Sequence, residues 1–150
     1  MGITDLFLMG RGRWRMSAAE REIIENAVER VDTVAARTIV THRGAPVRYS
    51  MLLLEGAMCR YMDARDGYRQ LVAYQIPGDF VDLHSLLLQH LDHDIVALKA
   101  STVAMTPHAE LSRLLRAQPT LADKLFGPDP EAARRCLLSW ARALGRMQAA

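Results

Sequence analysis

The sequence predicts a mainly β protein with flanking helices: an antiparallel jelly roll, or double-stranded β-helix, followed by one long C-terminal helix. Three observations support this fold class. Short segments rich in β-branched and aromatic residues, separated by turn residues, follow one another across residues 33–106. Helical spacing of apolar residues occurs only before and after this region. The strands are not separated by the long helices that a parallel sheet requires, so antiparallel pairing is expected.

The composition fits one globular domain. Of the 150 residues, 50% are hydrophobic and 24% are charged, which is ordinary for a folded chain. Nineteen Lys and Arg residues against seventeen Asp and Glu residues leave little excess charge for binding nucleic acid. The first residues do not form a signal peptide, and no apolar run approaches the ~20 residues that span a bilayer. We therefore expect a cytoplasmic protein with no membrane partner.

The first helix begins after a capping box. In Ser17-Ala-Ala-Glu20 the serine hydroxyl can accept from the Glu20 amide while the glutamate side chain reaches back to the serine amide. Apolar residues then recur at helical spacing, which predicts an amphipathic helix ending near Arg30. These apolar residues are Ile23, Ile24, Ala27, Val28 and Val31. Residues 1–16 are expected to form an N-terminal tail.

The β-rich region divides at its turn residues. Residues 33–41 predict one strand, followed by a turn at Arg43-Gly44-Ala45-Pro46. Residues 49–62 predict two strands that bend at Gly56. Asp66-Gly67 is a hairpin signal, and the return strand covers residues 68–76. Residues 95–100 and 102–106 predict the last two strands.

Helical spacing returns from residue 107. Two short helices are predicted, one around Leu111 and one over residues 119–126, and Gly127-Pro128-Asp129-Pro130 then interrupts the chain. Residues 131–146 predict a long helix with one apolar stripe. An isolated helix is marginal in water, so this stripe must pack against a partner helix or against its own roll. The candidate dimer interface is Ala133, Cys136, Leu137, Trp140, Ala141 and Leu144.

One stretch carries a resemblance to a known family. Residues 52–83 read LLLEGAMCRYMDARDGYRQLVAYQIPGDFVDL, and residues 90–111 read HLDHDIVALKASTVAMTPHAEL. Both resemble the effector domain of bacterial CRP/FNR-type transcription regulators, in which these segments are strands of a cyclic-nucleotide-binding-type roll. The resemblance covers most of the chain from about Ser17. It implies signal sensing in transcription regulation.

The resemblance also implies a domain organisation. Residues 17–127 would be the roll with its flanking helices, and residues 128–150 the dimerisation helix. In the family a hinge and a DNA-binding helix-turn-helix domain follow, whereas this sequence stops at Ala150, so we expect a truncated regulator without direct DNA binding. A coding sequence that continues beyond Ala150 is the alternative. The expected partners are a second copy of the chain or a related full-length regulator.

The candidate effector pocket surrounds the PGDF motif, at Gly78, Asp79, Phe80, Asp82, Leu83, His84 and Ser85. Family members that bind cyclic nucleotides place a Gly-Glu pair after this motif and an arginine about ten residues later. Here Asp82-Leu83 stands in place of Gly-Glu. No arginine lies between Arg69 and Arg113, and no glutamate between Glu55 and Glu110. We expect no cofactor and no cyclic nucleotide binding of the usual kind, because a buried phosphate needs a cation.

Two other functions compete with the regulator interpretation. His84, His90 and His93 are residues of the type that bind zinc or iron, so a small metal-dependent, cupin-like jelly-roll enzyme or metal-binding protein is the alternative. The main prediction is that the protein is neither an enzyme nor a metalloprotein. The two cysteines, Cys59 and Cys136, are far apart in sequence, and we expect them to be packed rather than reactive, with redox sensing as the alternative.

Overall fold

The computed structural model describes residues 3–4, 16–63, 65–82, 86 and 90–126. Within these residues, helix α1 covers Ala18–Asn26 and seven strands follow it. Two helices, α2 at His108–Ala117 and α3 at Pro119–Phe126, come after the last strand. The strands are β1 Arg30–Val34, β2 Ile39–Thr41, β3 Tyr49–Glu55, β4 Met58–Asp63, β5 Arg69–Gln75, β6 Asp94–Ala97 and β7 Ser101–Pro107.

The strands form two antiparallel sheets. The three-stranded sheet has the order β1-β7-β3, and the four-stranded sheet has the order β2-β6-β4-β5. Strand β7 pairs with both β1 and β3, and β6 pairs with both β2 and β4. The β4–β5 hairpin pairs Asp63 with Arg69, as the Asp66-Gly67 signal predicts. The predicted mainly β, antiparallel fold is confirmed, whereas the long C-terminal helix lies outside the described residues.

Helix α1 begins as predicted and ends earlier. The Glu20 amide donates to Ser17 Oγ at 3.1 Å, and the Ser17 amide donates to Glu20 Oε2 at 2.8 Å, so the capping box is confirmed. The helix ends at Asn26, and the predicted end near Arg30 is wrong. The Glu29 amide instead donates to the Met105 carbonyl, because strand β7 pairs with the chain from this point.

The predicted strand over residues 33–41 is wrong as a single element. It is two strands, β1 and β2, separated by a turn in which Arg37 has a φ of +67°. Strand β1 pairs with β7 and β2 pairs with β6, so the turn carries the chain from one sheet to the other. The choice of pairing partner decided this break, and local composition carried no sign of it.

Two apolar cores fill the fold. The first lies between the sheets, and the second lies between the three-stranded sheet and the helices. The inter-sheet core consists of Met51, Leu53, Met58, Val81, Leu91, Ile95, Ala97 and Val103. The helix-side core consists of Met16, Ile24, Leu52, Ala104 and Leu121. Adjacent residues Leu52 and Leu53 belong to different cores, as alternation in a strand requires.

Gly56 forms the corner between β3 and β4. Its φ of +101° is in the region that favours glycine, and a Cβ there would lie 2.7 Å from the Ala100 carbonyl oxygen and 2.2 Å from Ser101 Oγ. The bend predicted at this glycine is confirmed. It matters for the site because it carries the chain from the three-stranded to the four-stranded sheet.

Polar contacts connect α1 with α3 and with Thr4, which precedes α1 in sequence. Lys124 Nζ in α3 donates to both carboxylate oxygens of Glu20 in α1, at 2.8 and 2.6 Å. The Thr4 amide and hydroxyl donate to Glu25 Oε1 at 3.0 and 2.6 Å. Among the described residues, no helix is both long and apolar enough to cross a membrane.

Candidate functional site

The PGDF motif, Pro77–Phe80, forms a turn that lies against β3. The Gly78 amide donates to the Leu53 carbonyl at 2.8 Å, and the Leu53 amide donates to the Asp79 carbonyl at 2.9 Å. The Val81 amide donates to the Met51 carbonyl at 2.8 Å. Gly78 has a φ of +98°, which explains the glycine at this point of the turn. These bonds bring the residues after the turn into the inter-sheet space.

Asp82 is completely buried at the end of this turn. Its exposed fraction is 0%, and its Oδ1 accepts from the Met51 amide at 2.8 Å. Its Oδ2 has no hydrogen-bond partner among the described residues. Burial raises the pKa of Asp82 to about 7, although the Met51 amide and the Arg60 charge oppose this shift. A carboxyl group that changes charge near neutrality therefore lies inside the roll.

Arg60 brings a positive charge to the same interior. On β4 it shares a face with Met58, and across the sheet it pairs with Ile95; both of these residues belong to the inter-sheet core. Burial lowers the pKa of Arg60, and the charge of Asp82 opposes this shift. With the Gln75 amide oxygen turned towards it, Arg60 donates from Nε and Nη2 at 3.1 and 3.3 Å. Arg60 thus interacts electrostatically with the carboxylate of Asp82 and donates hydrogen bonds to an amide.

His93 is the third polar residue that reaches this region. Its exposed fraction is 2%, and it lies just before β6. Burial and the Arg60 charge lower the pKa of His93 to about 4, while Asp94 opposes the shift. The imidazole is therefore neutral at physiological pH. We name Arg60, Gln75, Asp82 and His93 the interior polar cluster.

Sequence reasoning missed Arg60 as a site residue. Lys99, the one Lys or Arg residue between Arg69 and Arg113 in the sequence, lies in an exposed turn after β6. The cation comes instead from β4, on the other side of Asp82 in sequence. Alternation alone does not single out Arg60, because its neighbours Cys59 and Tyr61 are buried as well as Met58 and Met62.

The predicted effector-pocket residues separate in the structure. Asp82 accepts from the Met51 amide and interacts with the Arg60 charge, whereas Phe80 packs against the helix-side core. Asp79 stays within the turn, where its Oδ2 accepts from the Ile76 amide at 3.1 Å. Leu83, His84 and Ser85 lie outside the described residues, as do all six residues of the predicted dimer interface. The membership of the pocket therefore stays a prediction.

The described residues hold no group of three His, Cys, Asp or Glu side chains that could bind a metal ion. Of the proposed trio, His90 is exposed, His93 is buried, and His84 is not described. Cys59 packs in β4 with 4% exposure, and burial raises the pKa of its thiol, so the thiolate needed for redox chemistry is disfavoured. Cys136 lies beyond the described residues.

Comparison with known protein families identifies the roll. The model of the cyclic nucleotide-binding domain family matches residues 31–118, which is more than half of the chain. The chain belongs to this family. The resemblance seen in the strand motifs is thereby confirmed at the level of the domain. No curated protein sequence matches the chain.

Solved structures with a similar fold include parts of several regulatory proteins. It is similar to the N-terminal domain of a transcriptional regulator from Streptomyces coelicolor A3(2), with 18% identity and a TM-score of 0.70 over 93% of this chain and 95% of that one. It is similar to the Thermus thermophilus catabolite activator protein, with 15% identity and a TM-score of 0.70 over 91% of this chain and 62% of that one. At these identities the similarity establishes the fold.

The same fold also occurs outside transcription regulators. The regulatory subunit of a cAMP-independent protein kinase A from Trypanosoma brucei has 19% identity and a TM-score of 0.65, over 91% of this chain and 48% of that one. The domain thus spans about three fifths of the Thermus protein and half of the kinase subunit. Fold alone leaves the output of the domain open, and the interior polar cluster becomes the informative feature.

Proposed function

We propose that this chain is the effector-sensing and dimerisation domain of a CRP/FNR-like transcription regulator in the cytoplasm, and that it is not an enzyme. One observation carries the sensing part: the charged residues Asp82 and Arg60 lie close together inside the roll, beside the PGDF turn. Buried charges cost stability, and perturbed titratable groups concentrate at functional sites. Asp82 and Arg60 are therefore a better match to ligand sensing than to a purely structural core.

The proposal excludes cyclic nucleotide binding of the usual kind. The usual Gly-Glu pair is replaced by Asp82-Leu83, and Oδ1 of Asp82 already accepts from the Met51 amide. Lys99, the one cation between Arg69 and Arg113, is exposed away from the interior. Neither the usual ribose acceptor nor the usual phosphate cation is therefore available in this segment.

A thermal-shift measurement with cyclic AMP and cyclic GMP tests this exclusion. A ligand at about 100 times its dissociation constant stabilises a folded domain by ~2.7 kcal/mol, which is readily seen as a higher melting temperature. We expect no change with either nucleotide at millimolar concentration. A clear rise with one of them would show that the domain retains the usual ligand.

The dimerisation part of the proposal rests on the apolar stripe of residues 131–146. We propose that two copies pair through this stripe, with residues 17–127 as the roll and residues 128–150 as the pairing helix. A related full-length regulator would be an alternative partner through the same stripe. Large aromatic residues such as Trp140 dominate interfaces of this kind.

Light scattering on purified protein tests the pairing. The wild-type chain is expected to be a dimer, and Trp140→Ala is expected to weaken the dimer at least tenfold, since central aromatic residues contribute about 2 kcal/mol or more. Arg142→Ala, off the stripe, is the matched control and should leave the dimer intact. A monomeric wild-type protein at high concentration would contradict the pairing.

A further inference from the structure

We propose that Asp82 is a proton-binding site and that the hydrogen ion is an effector of this domain, acting on the junction between the PGDF turn and β3. The inference rests on the proposed sensing function and deepens it by naming the ligand. It requires a buried acid, a contact whose strength depends on the charge of that acid, and a path from that contact to the turn.

The burial of Asp82 satisfies the first requirement. The carboxyl group is 0% exposed, and its Oδ2 has no hydrogen-bond partner in the described part of the chain. Among the described residues its donors are few for a fully buried ion: the Met51 amide on Oδ1 and its own amide. Desolvation disfavours the charged form of such a group, and the pKa of Asp82 rises to about 7 for this reason.

The bond from the Met51 amide satisfies the second requirement. Three of the bonds between the turn and β3 join main-chain atoms and do not change with charge. The fourth, from the Met51 amide to Asp82 Oδ1, depends on the ionisation of the acceptor. Bonds to an ionised acceptor are roughly twice as strong as those to a neutral one. Proton uptake therefore weakens one specific bond in this junction.

The position of Met51 satisfies the third requirement. Met51 also accepts from the Val81 amide through its carbonyl, and the Leu53 main chain, two residues on, exchanges bonds with Gly78 and Asp79. A change at the Met51 amide is thus transmitted directly to both ends of the turn. In the ionised state, the attraction between Asp82 and Arg60 also links the turn to β4 and the four-stranded sheet.

The surrounding charged groups have defined roles. Among the described residues, Arg60 on β4 favours the ionised form of Asp82. His93 interacts with Arg60 and stays neutral, and the carboxylate of Asp94, which favours the charged form of His93, accepts from the Arg43 amide at 2.6 Å. Asp79 points back into its own turn, towards the Ile76 amide. Arg60 is therefore the group whose removal should change proton binding most.

Nuclear magnetic resonance on the intact chain labelled with ¹³C and ¹⁵N tests the proposal. The Asp82 carboxyl carbon is followed from pH 5 to pH 9, together with the amide protons of Met51 and Gly78. We expect the carboxyl carbon to titrate near pH 7, and the Met51 amide proton to move upfield with the same midpoint as its bond weakens. An Asp82 carboxyl midpoint below pH 5 would overturn the proposal. A Met51 amide proton whose chemical shift does not change with the carboxyl titration would overturn it as well.

Variants separate proton binding from general disturbance of the fold. Arg60→Gln should raise the midpoint by about 1 pH unit, a tenfold change in proton affinity, because it removes the opposing charge. Arg60→Lys should restore most of the wild-type midpoint, and Asp66→Asn in the exposed β4–β5 turn should leave it unchanged. An unchanged midpoint in Arg60→Gln would also contradict the proposal.

The wild-type titration needs no variant, so a variant that fails to fold does not remove the test. Its result is independent of the dimer measurement. A dimer whose Asp82 titrates below pH 5 would reject the proton effector alone, whereas a monomer with the expected titration would reject the pairing part of the proposed function alone.

Discussion

The two sheets of the domain are built from the same kind of strand but are used differently. Strand β3 of the three-stranded sheet is buried on both faces: Leu53 faces the inter-sheet core and Leu52 faces the helices, with exposed fractions of 0% and 1%. The four-stranded sheet carries Arg60 on its inner face and leaves Leu71 and Tyr74 exposed on β5. Strand β3 contributes apolar side chains to both cores, whereas the four-stranded sheet contributes to one core and also carries polar chemistry at a cost in stability.

The largest expected effect comes from a matched pair of leucines. Leu53→Ala should lower the free energy of unfolding by about 3–5 kcal/mol, because it removes a fully buried side chain and leaves a cavity. Leu71→Ala, at 60% exposure on the edge strand β5, should change it by less than about 0.5 kcal/mol. Urea unfolding of both variants measures the difference. Equal losses would contradict the difference in burial between Leu53 and Leu71.

Substitution of Gly56, at the corner between the sheets, should lower the free energy of unfolding almost as much. Gly56→Ala forces a Cβ against the Ala100 carbonyl oxygen at a positive φ, and we expect a loss of more than about 2 kcal/mol. Gly44→Ala is the control, since its φ of +76° is also positive but no atom lies within 4 Å of the added Cβ. Its expected loss is about 1 kcal/mol. Comparable melting temperatures of the Gly56→Ala and Gly44→Ala variants would mean that the corner at Gly56 tolerates a side chain.

The pH dependence of stability tests the interior of the four-stranded sheet. The pKa of Asp82 is raised from 3.8 to about 7, so the folded state holds a proton that the unfolded state releases, and this contribution is lost as the pH rises from about 4 to 7. The pKa of His93 is lowered from 6.5 to about 4, so its contribution is lost as the pH falls from about 6.5 to 4. The contributions of Asp82 and His93 change with pH in opposite directions. The free energy of unfolding of the wild-type protein should therefore be nearly independent of pH in this range.

In the variant Asp82→Asn, the pH dependence of stability that His93 contributes should no longer be cancelled. The variant is expected to gain about 2 kcal/mol of unfolding free energy between pH 5 and pH 8, measured by urea unfolding at both values. Asp66→Asn, in an exposed turn, should keep the flat wild-type profile. A flat profile in Asp82→Asn would show that the two groups do not compensate each other.

The smallest expected effect is the difference in stability lost when each of two ion pairs is disrupted. Lys124 and Glu20 keep 17% and 16% of their side chains exposed in the helical layer, whereas Arg69 and Asp63 each keep 60% exposed at the β4–β5 hairpin. Lys124→Met should cost about 1.5 kcal/mol, because it removes two charge-assisted bonds from a shielded carboxylate. Asp63→Asn should cost less than about 0.5 kcal/mol. Chemical denaturation resolves this difference, and an inverted order would argue against the shielding of the helical pair.

Much of the fold was predictable because it depends on local signals. The capping box at Ser17, the bend at Gly56 and the hairpin at Asp66-Gly67 each act within a few residues, and the structure confirms all three. The end of α1 and the break between β1 and β2 were not predicted. Both depend on pairing with β7 and β6, which are more than fifty residues away in sequence.

In the candidate site, too, some features depend on local sequence signals and others on residues distant in sequence. Asp82 was named from its position after the PGDF motif, but the bond that its Oδ1 accepts from the Met51 amide depends on strand β3, thirty-one residues earlier in sequence. Arg60 was missed because a search near Asp82 in sequence cannot find a residue that reaches it across the interior of the roll.

By itself the sequence determined the succession of helices and antiparallel strands, the turns between them and the resemblance to an effector domain, since periodicity, capping and turn chemistry act over short distances. Only the tertiary structure decided which strands share a sheet, which side of β4 faces inward and how completely Asp82 is removed from water. These are properties of the assembled interior, where the charge and pKa of one residue depend on neighbours that are distant in the chain.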